Sequence, residues 1–220
     1  MARTQKSNPL SRYLAPPGIA ELYDEAAAGW QARIDKLGFE TAYDNLARCA
    51  FAYDPLHPGE RILDAGTGTG AAARAIALLS GSNEPQFDLL DPSAEMLAQA
   101  VRNIPAICTT VTGVIGDPRI SENAYDRVVC AHVIEHCPNP QDQIDWLFDR
   151  LRPGGTAVFA VSKPHWCTAL VRWRWGNSAF SQATMRAMLT KAGFGDIETC
   201  PHPTGPPSRV SCGYLARRPD

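Results

Sequence analysis

The stretch Arg61-Ile62-Leu63-Asp64-Ala65-Gly66-Thr67-Gly68-Thr69-Gly70-Ala71-Ala72-Ala73 decides the fold. Residues Arg61 to Ala65 read as a short buried strand, and Ala71 to Leu79 as a helix. Between them Gly66, Gly68 and Gly70 form a turn that tolerates positive φ and lets a ligand approach the backbone without meeting a Cβ. The N-terminus of the helix offers free N–H groups at the same place. A strand, a glycine turn and a helix in this order predict an α/β domain with a ligand at the turn.

The same rhythm continues downstream. Phe87 to Leu90 reads as a second strand, Ser93 to Asn103 as a helix with Ser93 as N-cap, and Thr109 to Ile115 as a third strand. Tyr125 to Ile134 supplies a fourth strand and Gln141 to Leu151 a helix. A fifth strand, Thr156 to Val161, is entered through Pro153-Gly154-Gly155. Beyond it, Phe180 to Ala192 has a helical pattern stopped by Gly193. Ile197 to Cys200 and Val210 to Ala216 read as closing strands around the proline-rich segment PHPTGPPS. Upstream, Ile19, Leu22, Tyr23, Ala26, Trp30, Ile34 and Leu37 mark one amphipathic helix. Phe39, Tyr43, Leu46, Ala47, Ala50 and Phe51 mark a second, which ends before Pro55 and Pro58.

Composition narrows the classes. The chain has 220 residues, 45% of them hydrophobic, enough for the core of one domain. Lys plus Arg number 21 against 23 Asp plus Glu, so the formal charge of −2 gives no field favouring nucleic acid. The N-terminal segment lacks the continuous apolar run of a signal peptide, and no run reaches the roughly 18 apolar residues of a membrane span. A cytoplasmic protein is therefore expected. The seven cysteines, Cys49, Cys108, Cys130, Cys137, Cys167, Cys200 and Cys212, form no CxxC pair and are odd in number, so reduced thiols are expected.

The glycine turn by itself fits two cofactors. Gly66-x-Gly68-x-x-Ala71 also satisfies the fingerprint of nicotinamide-binding folds, and Asp91 at the end of the second strand suits either, since a carboxylate there accepts from both hydroxyls of a ribose. Asp91 also serves as a cap for the helix that follows.

The surrounding segments separate the two readings. ILDAGTGTG, DLLDPSAEML, YDRVVCAHVIEHCPNP and RLRPGGTAVFAVSKP, in this order from about Glu60 to Pro164, resemble the motifs of class I S-adenosylmethionine-dependent methyltransferases. The likeness is to small-molecule and quinone- or lipid-modifying members. It implies a Rossmann-like α/β fold, a seven-stranded, mostly parallel sheet with helices on both faces and an antiparallel last strand. It also implies S-adenosyl-L-methionine at the carboxyl ends of the strands. Asp64, Gly66, Thr67, Gly68 and Gly70 would surround the methionine portion, Asp91 the ribose, and Pro92 or Met96 the adenine face. Asp117 would meet the adenine amino group, although an Asp before Pro118 also suits a turn. The implied layout is one domain, 1–220, with a helical cap over 1–58, the cofactor core over 59–164, and a lid and closing elements over 165–220.

His132-Val133-Ile134-Glu135-His136 literally reads HxxEH, an inverted zinc-peptidase pattern. That motif needs a helix. Here it follows a strand, which does not bring the two histidines together, so no metal is expected. In the methyltransferase reading His132 ends the fourth strand near the sulfonium, as a cofactor-lining residue or a base, and Glu135-His136 fix the turn. Tyr13 and Tyr23 are further candidate bases. Trp30, His165 and Trp166 are candidate acceptor contacts, the last two within a cluster that continues through Arg172, Trp173, Arg174 and Trp175. Such a cluster can bind a planar acceptor, an anionic headgroup or a membrane interface, and equally can pack against the sheet. The expectation is methyl transfer to a small acceptor, of aromatic or amphiphilic kind, at oxygen, nitrogen or carbon. The alternatives are a nicotinamide-dependent oxidoreductase and a non-catalytic cofactor-binding module.

Overall fold

The computed structural model describes residues 29, 30, 32, 34–165 and 178–220. Residues 29, 30, 32 and 34–36 are helical where the first amphipathic helix was expected. From there α1 (Phe39–Tyr53) leads into β1 (Arg61–Ala65), α2 (Ala71–Leu79), β2 (Gln86–Asp91), α3 (Ala94–Asn103), β3 (Ile107–Thr112) and β4 (Tyr125–Ala131). Next come α4 (Pro140–Arg150), β5 (Leu151–Ser162), α5 (Gln182–Ala192), β6 (Gly195–Cys200), α6 (Gly205–Val210) and β7 (Ser211–Arg217).

The strands form one seven-stranded sheet in the order β3-β2-β1-β4-β5-β7-β6. Strands β1 to β5 pair in parallel, and β7 runs antiparallel between β5 and β6. This is the fold expected. The pleat sends alternate residues of the central strands to opposite faces. Leu63, Val128 and Phe159 pack with Ile144 and Leu147 of α4 and Met185 and Leu189 of α5. Ile62, Val129 and Val158 pack with Leu46 and Ala50 of α1 and Ile76 of α2. Two buried faces explain why these strands read as apolar runs rather than as alternating patterns.

Several boundaries differ from the sequence reading. The third strand is Ile107–Thr112, ending short of Ile115, because its register against β2 pairs Gln86 with Ile107 and Asp91 with Thr112. The chain then turns, with the Gly113 N–H bonded to the Asp91 carbonyl at 3.0 Å, and Ile115 is buried as a loop residue. Strand β4 stops at Ala131 because His132 has φ 59, a left-handed conformation incompatible with an extended strand. Strand β5 begins directly after α4 and takes in the Pro-Gly-Gly segment at a register shift. The proline-rich stretch contains α6, whose first turn tolerates prolines because its N–H groups need no helical partner.

The expectation of reduced thiols is overturned at two positions. Cys49 of α1 and Cys200 of β6 form a disulfide with Cα atoms 6.4 Å apart, within the usual bridging range. Cys108, Cys130, Cys137 and Cys212 are free.

At the amino ends of the strands, Arg127 is fully buried. Its Nε donates to Glu60 Oε2 at 3.2 Å and its Nη2 to the Asp54 carbonyl at 3.0 Å. Asp54 also pairs with Arg217 at 3.0 Å and accepts from Thr156, so one polar cluster joins the end of α1 to β1, β4, β5 and β7. Removing a partner from a buried charge leaves that charge uncompensated. Glu60→Ala is expected to cost about 3–5 kcal/mol of folding stability, measured by urea denaturation. Cofactor affinity of the folded variant should be unchanged, because this cluster lies at the opposite end of the sheet from the glycine turn.

Candidate functional site

Parallel strands joined by helical crossovers all end at the same edge of the sheet, and the turns after β1, β2 and β4 meet there. They border a cavity of about 400 Å³. Asp64, Gly66, Thr67, Gly68 and Thr69 line it, with Asp91, Pro92 and Met96. So do His132, Val133 and Glu135 from the β4 turn, Ser162 from the end of β5, and Trp30, Phe39 and Tyr43 from the N-terminal helices.

The turn after β1 is held by backbone bonds from Gly66 N and Thr67 N to the Leu90 carbonyl, at 2.7 and 3.1 Å. Asp91 bridges it to the next turn, accepting from Gly68 N through Oδ2 and from Ser93 N through Oδ1, each at 2.9 Å. Ser93 itself caps α3 by accepting from Met96 N at 3.0 Å. Asp91 therefore organises both turns while its carboxylate stays on the cavity wall.

The glycines divide the work. Gly68 has φ +52, and a Cβ built on it meets no atom of the protein within 4 Å, so the space beside it belongs to the cavity. Gly70 does not line the cavity. A Cβ there would lie 2.9 Å from Ile104 Cδ1 and 3.0 Å from Ala100 Cβ, so it allows α2 to pack closely on α3.

Asp64 is 1% exposed. Thr67 Oγ1 donates to its Oδ2 at 2.6 Å, and its Oδ1 has no hydrogen-bond partner. Burial pushes the Asp64 carboxyl up to about 7; the Thr67 hydrogen bond opposes that rise and the Asp91 charge adds to it. A buried carboxylate oxygen without a donor and an open Gly68 together suit a cationic, backbone-hugging ligand.

His132 has both ring nitrogens engaged. Nδ1 lies 3.1 Å from Glu135 Oε1, and Nε2 lies 3.1 Å from Ser211 Oγ, itself 3.2 Å from His202 Nε2. The Glu135 carboxylate can only accept, so Nδ1 donates to it, while at Nε2 either the ring or the Ser211 hydroxyl is the donor. His202 stays neutral, since burial, with His132 and Lys163 nearby, lowers its pKa to about 4. The ring of His132 packs edge-on against Phe39 at 5.2 Å. Ile134–His136 form a single 3₁₀ turn, so the HxxEH residues do not share the helix that a zinc peptidase needs.

The other expected site residues separate clearly. Asp117 is not among the described residues that line the cavity; Arg119 takes both its oxygens, at 2.9 and 2.6 Å, and holds its carboxyl below the usual range. Gly113, Val114 and Ile115 form the wall where Asp117 was expected. Trp30 lines the cavity and His165 does not. Tyr13, Tyr23, Trp166, Arg172, Trp173, Arg174 and Trp175 lie outside the described residues.

Sequence reasoning missed Phe39, Tyr43 and Ser162 as site residues. Phe39 and Tyr43 fell on a helical face that reads as core. Burial, with Glu135 and Asp64 nearby, raises the Tyr43 phenol well above its usual range, so it remains a neutral hydroxyl.

The antiparallel β7 between β5 and β6 distinguishes this sheet from the dinucleotide-binding order 3-2-1-4-5-6. A family model described as a methyltransferase domain matches residues 11–199. The chain belongs to this family. Its cofactor is S-adenosyl-L-methionine.

Among curated relatives, it is 31% identical over 110 residues to a malonyl-[acyl-carrier protein] O-methyltransferase of Marinomonas sp. (strain MWYL1), covering 49% of this chain and 40% of the relative. It is 32% identical over 105 residues to the chloroplastic 2-methyl-6-phytyl-1,4-hydroquinone methyltransferase of Arabidopsis thaliana, covering 47% and 30%. The chain thus spans less than half the length of either relative. Among solved structures, magnesium protoporphyrin IX methyltransferase from Synechocystis PCC 6803 superposes with a TM-score of 0.73 over 91% of this chain and 97% of that one, at 18% identity. That likeness is one of fold.

Two substitutions separate the roles of the glycines. Gly68→Val is expected to weaken S-adenosyl-L-methionine binding at least tenfold, by calorimetry, with only the roughly 1–2 kcal/mol strain of a non-glycine residue at positive φ. Gly70→Ala should instead lower the melting temperature through its collision with α3, and shift cofactor affinity less than Gly68→Val does.

Proposed function

We propose that this chain transfers the methyl group of S-adenosyl-L-methionine to a small-molecule acceptor bound in the same cavity. The observation that carries the reading is the continuity of that cavity. Asp64, Gly68 and Asp91 line it together with Phe39, Tyr43, Glu135 and Ser162. A largely apolar cleft of about 400 Å³ suits small ligands rather than a folded macromolecule. Among the described residues no helix is long and apolar enough to cross a membrane.

The bound cofactor supplies a methyl group already activated on a sulfonium. What remains for the protein is to orient donor and acceptor and to exclude water. In this reading Asp64 takes the cationic methionine portion, the Gly66–Gly68 backbone lies along it, Asp91 meets the ribose, and Pro92 and Met96 bound the adenine. The apolar faces of Phe39, Tyr43 and Trp30 keep water from the acceptor side. His132, with both nitrogens occupied, shapes this wall and serves as a positioning residue.

Two expectations follow for Asp64. Below about pH 4 its carboxyl is protonated in both the folded and unfolded chain. Between there and about 7 only the unfolded chain releases the proton, so the contribution of this group to the stability of the cofactor-free protein falls across that window. Binding has the opposite slope. A cationic ligand selects the ionised carboxylate, so S-adenosyl-L-methionine affinity should rise with pH, by at most about tenfold per unit, and level off above about 7. Calorimetry between about pH 5.5 and 8.5 reads this directly, and Asp64→Asn should flatten the profile. An equally steep profile in that variant would remove Asp64 from the cofactor site. Labelled S-adenosyl-L-methionine offered to small-metabolite fractions tests transfer itself; cofactor binding without label in any acceptor would leave a binding module.

A further inference from the structure

The acceptor wall holds a polar atom that the protein leaves unsatisfied. Glu135 lines the cavity and is 2% exposed. All its internal bonds go to one oxygen: Oε1 accepts from Ser162 N at 3.1 Å, from Ser162 Oγ at 2.7 Å and from His132 Nδ1 at 3.1 Å. Oε2 has no hydrogen-bond partner. Burial alone would raise this carboxyl, but the hydrogen bond from His132, the pull of His132 and His136, and the Ser162 hydroxyl more than offset it, so Glu135 remains ionised. A buried, ionised oxygen without a donor calls for a ligand that brings one.

The rest of the cavity agrees in sign. Asp64 and Asp91 are the other carboxylates on its described wall, and no lysine or arginine is among the described residues that line it. Beside the ionised Glu135 an anionic acceptor would be repelled. An N–H donor that becomes cationic would not.

We propose that the methyl acceptor is an amine, held through an N–H···O hydrogen bond to Glu135 Oε2; this deepens the methyl-transfer reading of the cavity and rests on it. The amine binds as the free base, its proton left in bulk water. Its nitrogen lone pair forms the bond to the methyl carbon as the carbon–sulfur bond breaks, and that electron pair stays on sulfur. Positive charge thus moves from sulfur to nitrogen, beside a fixed carboxylate that favours the charged product. The methylated ammonium ion leaves and loses its extra proton to solvent.

Glu135→Gln tests this with little change of shape. The glutamine carbonyl can still accept from Ser162 and His132, while its amide places donors where Oε2 stood. The probes are benzylamine, benzyl alcohol and benzoate, matched in size and aromatic to suit Phe39, Tyr43 and Trp30. Each is titrated into the full chain loaded with S-adenosylhomocysteine and then offered with labelled S-adenosyl-L-methionine. Benzylamine should bind the parent protein more tightly than the alcohol or the carboxylate, and lose at least tenfold in affinity in the variant. S-adenosylhomocysteine affinity should stay within about twofold, which also shows that the variant is folded. The proposal is overturned if benzylamine does not bind, if its affinity is unchanged in Glu135→Gln, or if cofactor affinity falls by the same factor. Label transferred to the alcohol or carboxylate in preference to the amine overturns the amine and keeps the methyl-transfer reading. Amine binding that depends on Glu135, with no label in any acceptor, overturns methyl transfer and keeps the amine site.

Discussion

Everything at the site depends on the parallel pairing of β1 with β2 on one side and β4 on the other. Parallel strands with helical crossovers bring every strand out at the same edge, so the residues following each strand become neighbours although they lie far apart in the chain. Leu63 pairs with Asp88 and with Val128, and from this register Asp64, Asp91 and His132 arrive around one cavity. The two helical layers bury both faces of these strands and leave their carboxyl ends as the place where polar groups gather.

Asp91 turns that convergence into a defined shape. By accepting from Gly68 N and Ser93 N it locks the turns after β1 and β2 to each other. The turn after β4 is ordered separately, by Glu135, His132, Ser162 and Ser211, which link the ends of β4, β5 and β7. The antiparallel β7 thus contributes beyond closing the sheet, since Ser211 at its start holds the Nε2 of His132. The turns that border the cavity come from different strands, and Phe39 and Tyr43 of α1 line it beside them.

The polar cluster around Arg127 and the Cys49–Cys200 bridge have a different role. Arg127, Glu60 and Asp54 lie at the other end of the strands and tie α1 to the sheet from below, while the disulfide ties the same helix to the edge strand β6. Because Phe39 and Tyr43 line the cavity from α1, the position of this helix sets how far they reach into it.

The sequence alone determined the α/β class, the strand–turn–helix at Gly66 to Gly70 and the cofactor class, because these depend on local periodicity, turn chemistry and the order of motifs along the chain. It also singled out Asp64, Gly68 and Asp91, which line the cavity. Other features were decided only by tertiary structure. Gly70 proved to serve helix packing, Asp117 was taken by Arg119, and Tyr43 proved to face a cavity although its helical spacing matches that of a core residue. The disulfide could not be read at all, since its cysteines are 151 positions apart and meet only once α1 crosses the end of β6. The physical reason is common to all of them. Periodicity tells which residues leave water, but whether a buried residue meets another side chain or a ligand space depends on what the rest of the chain brings to it.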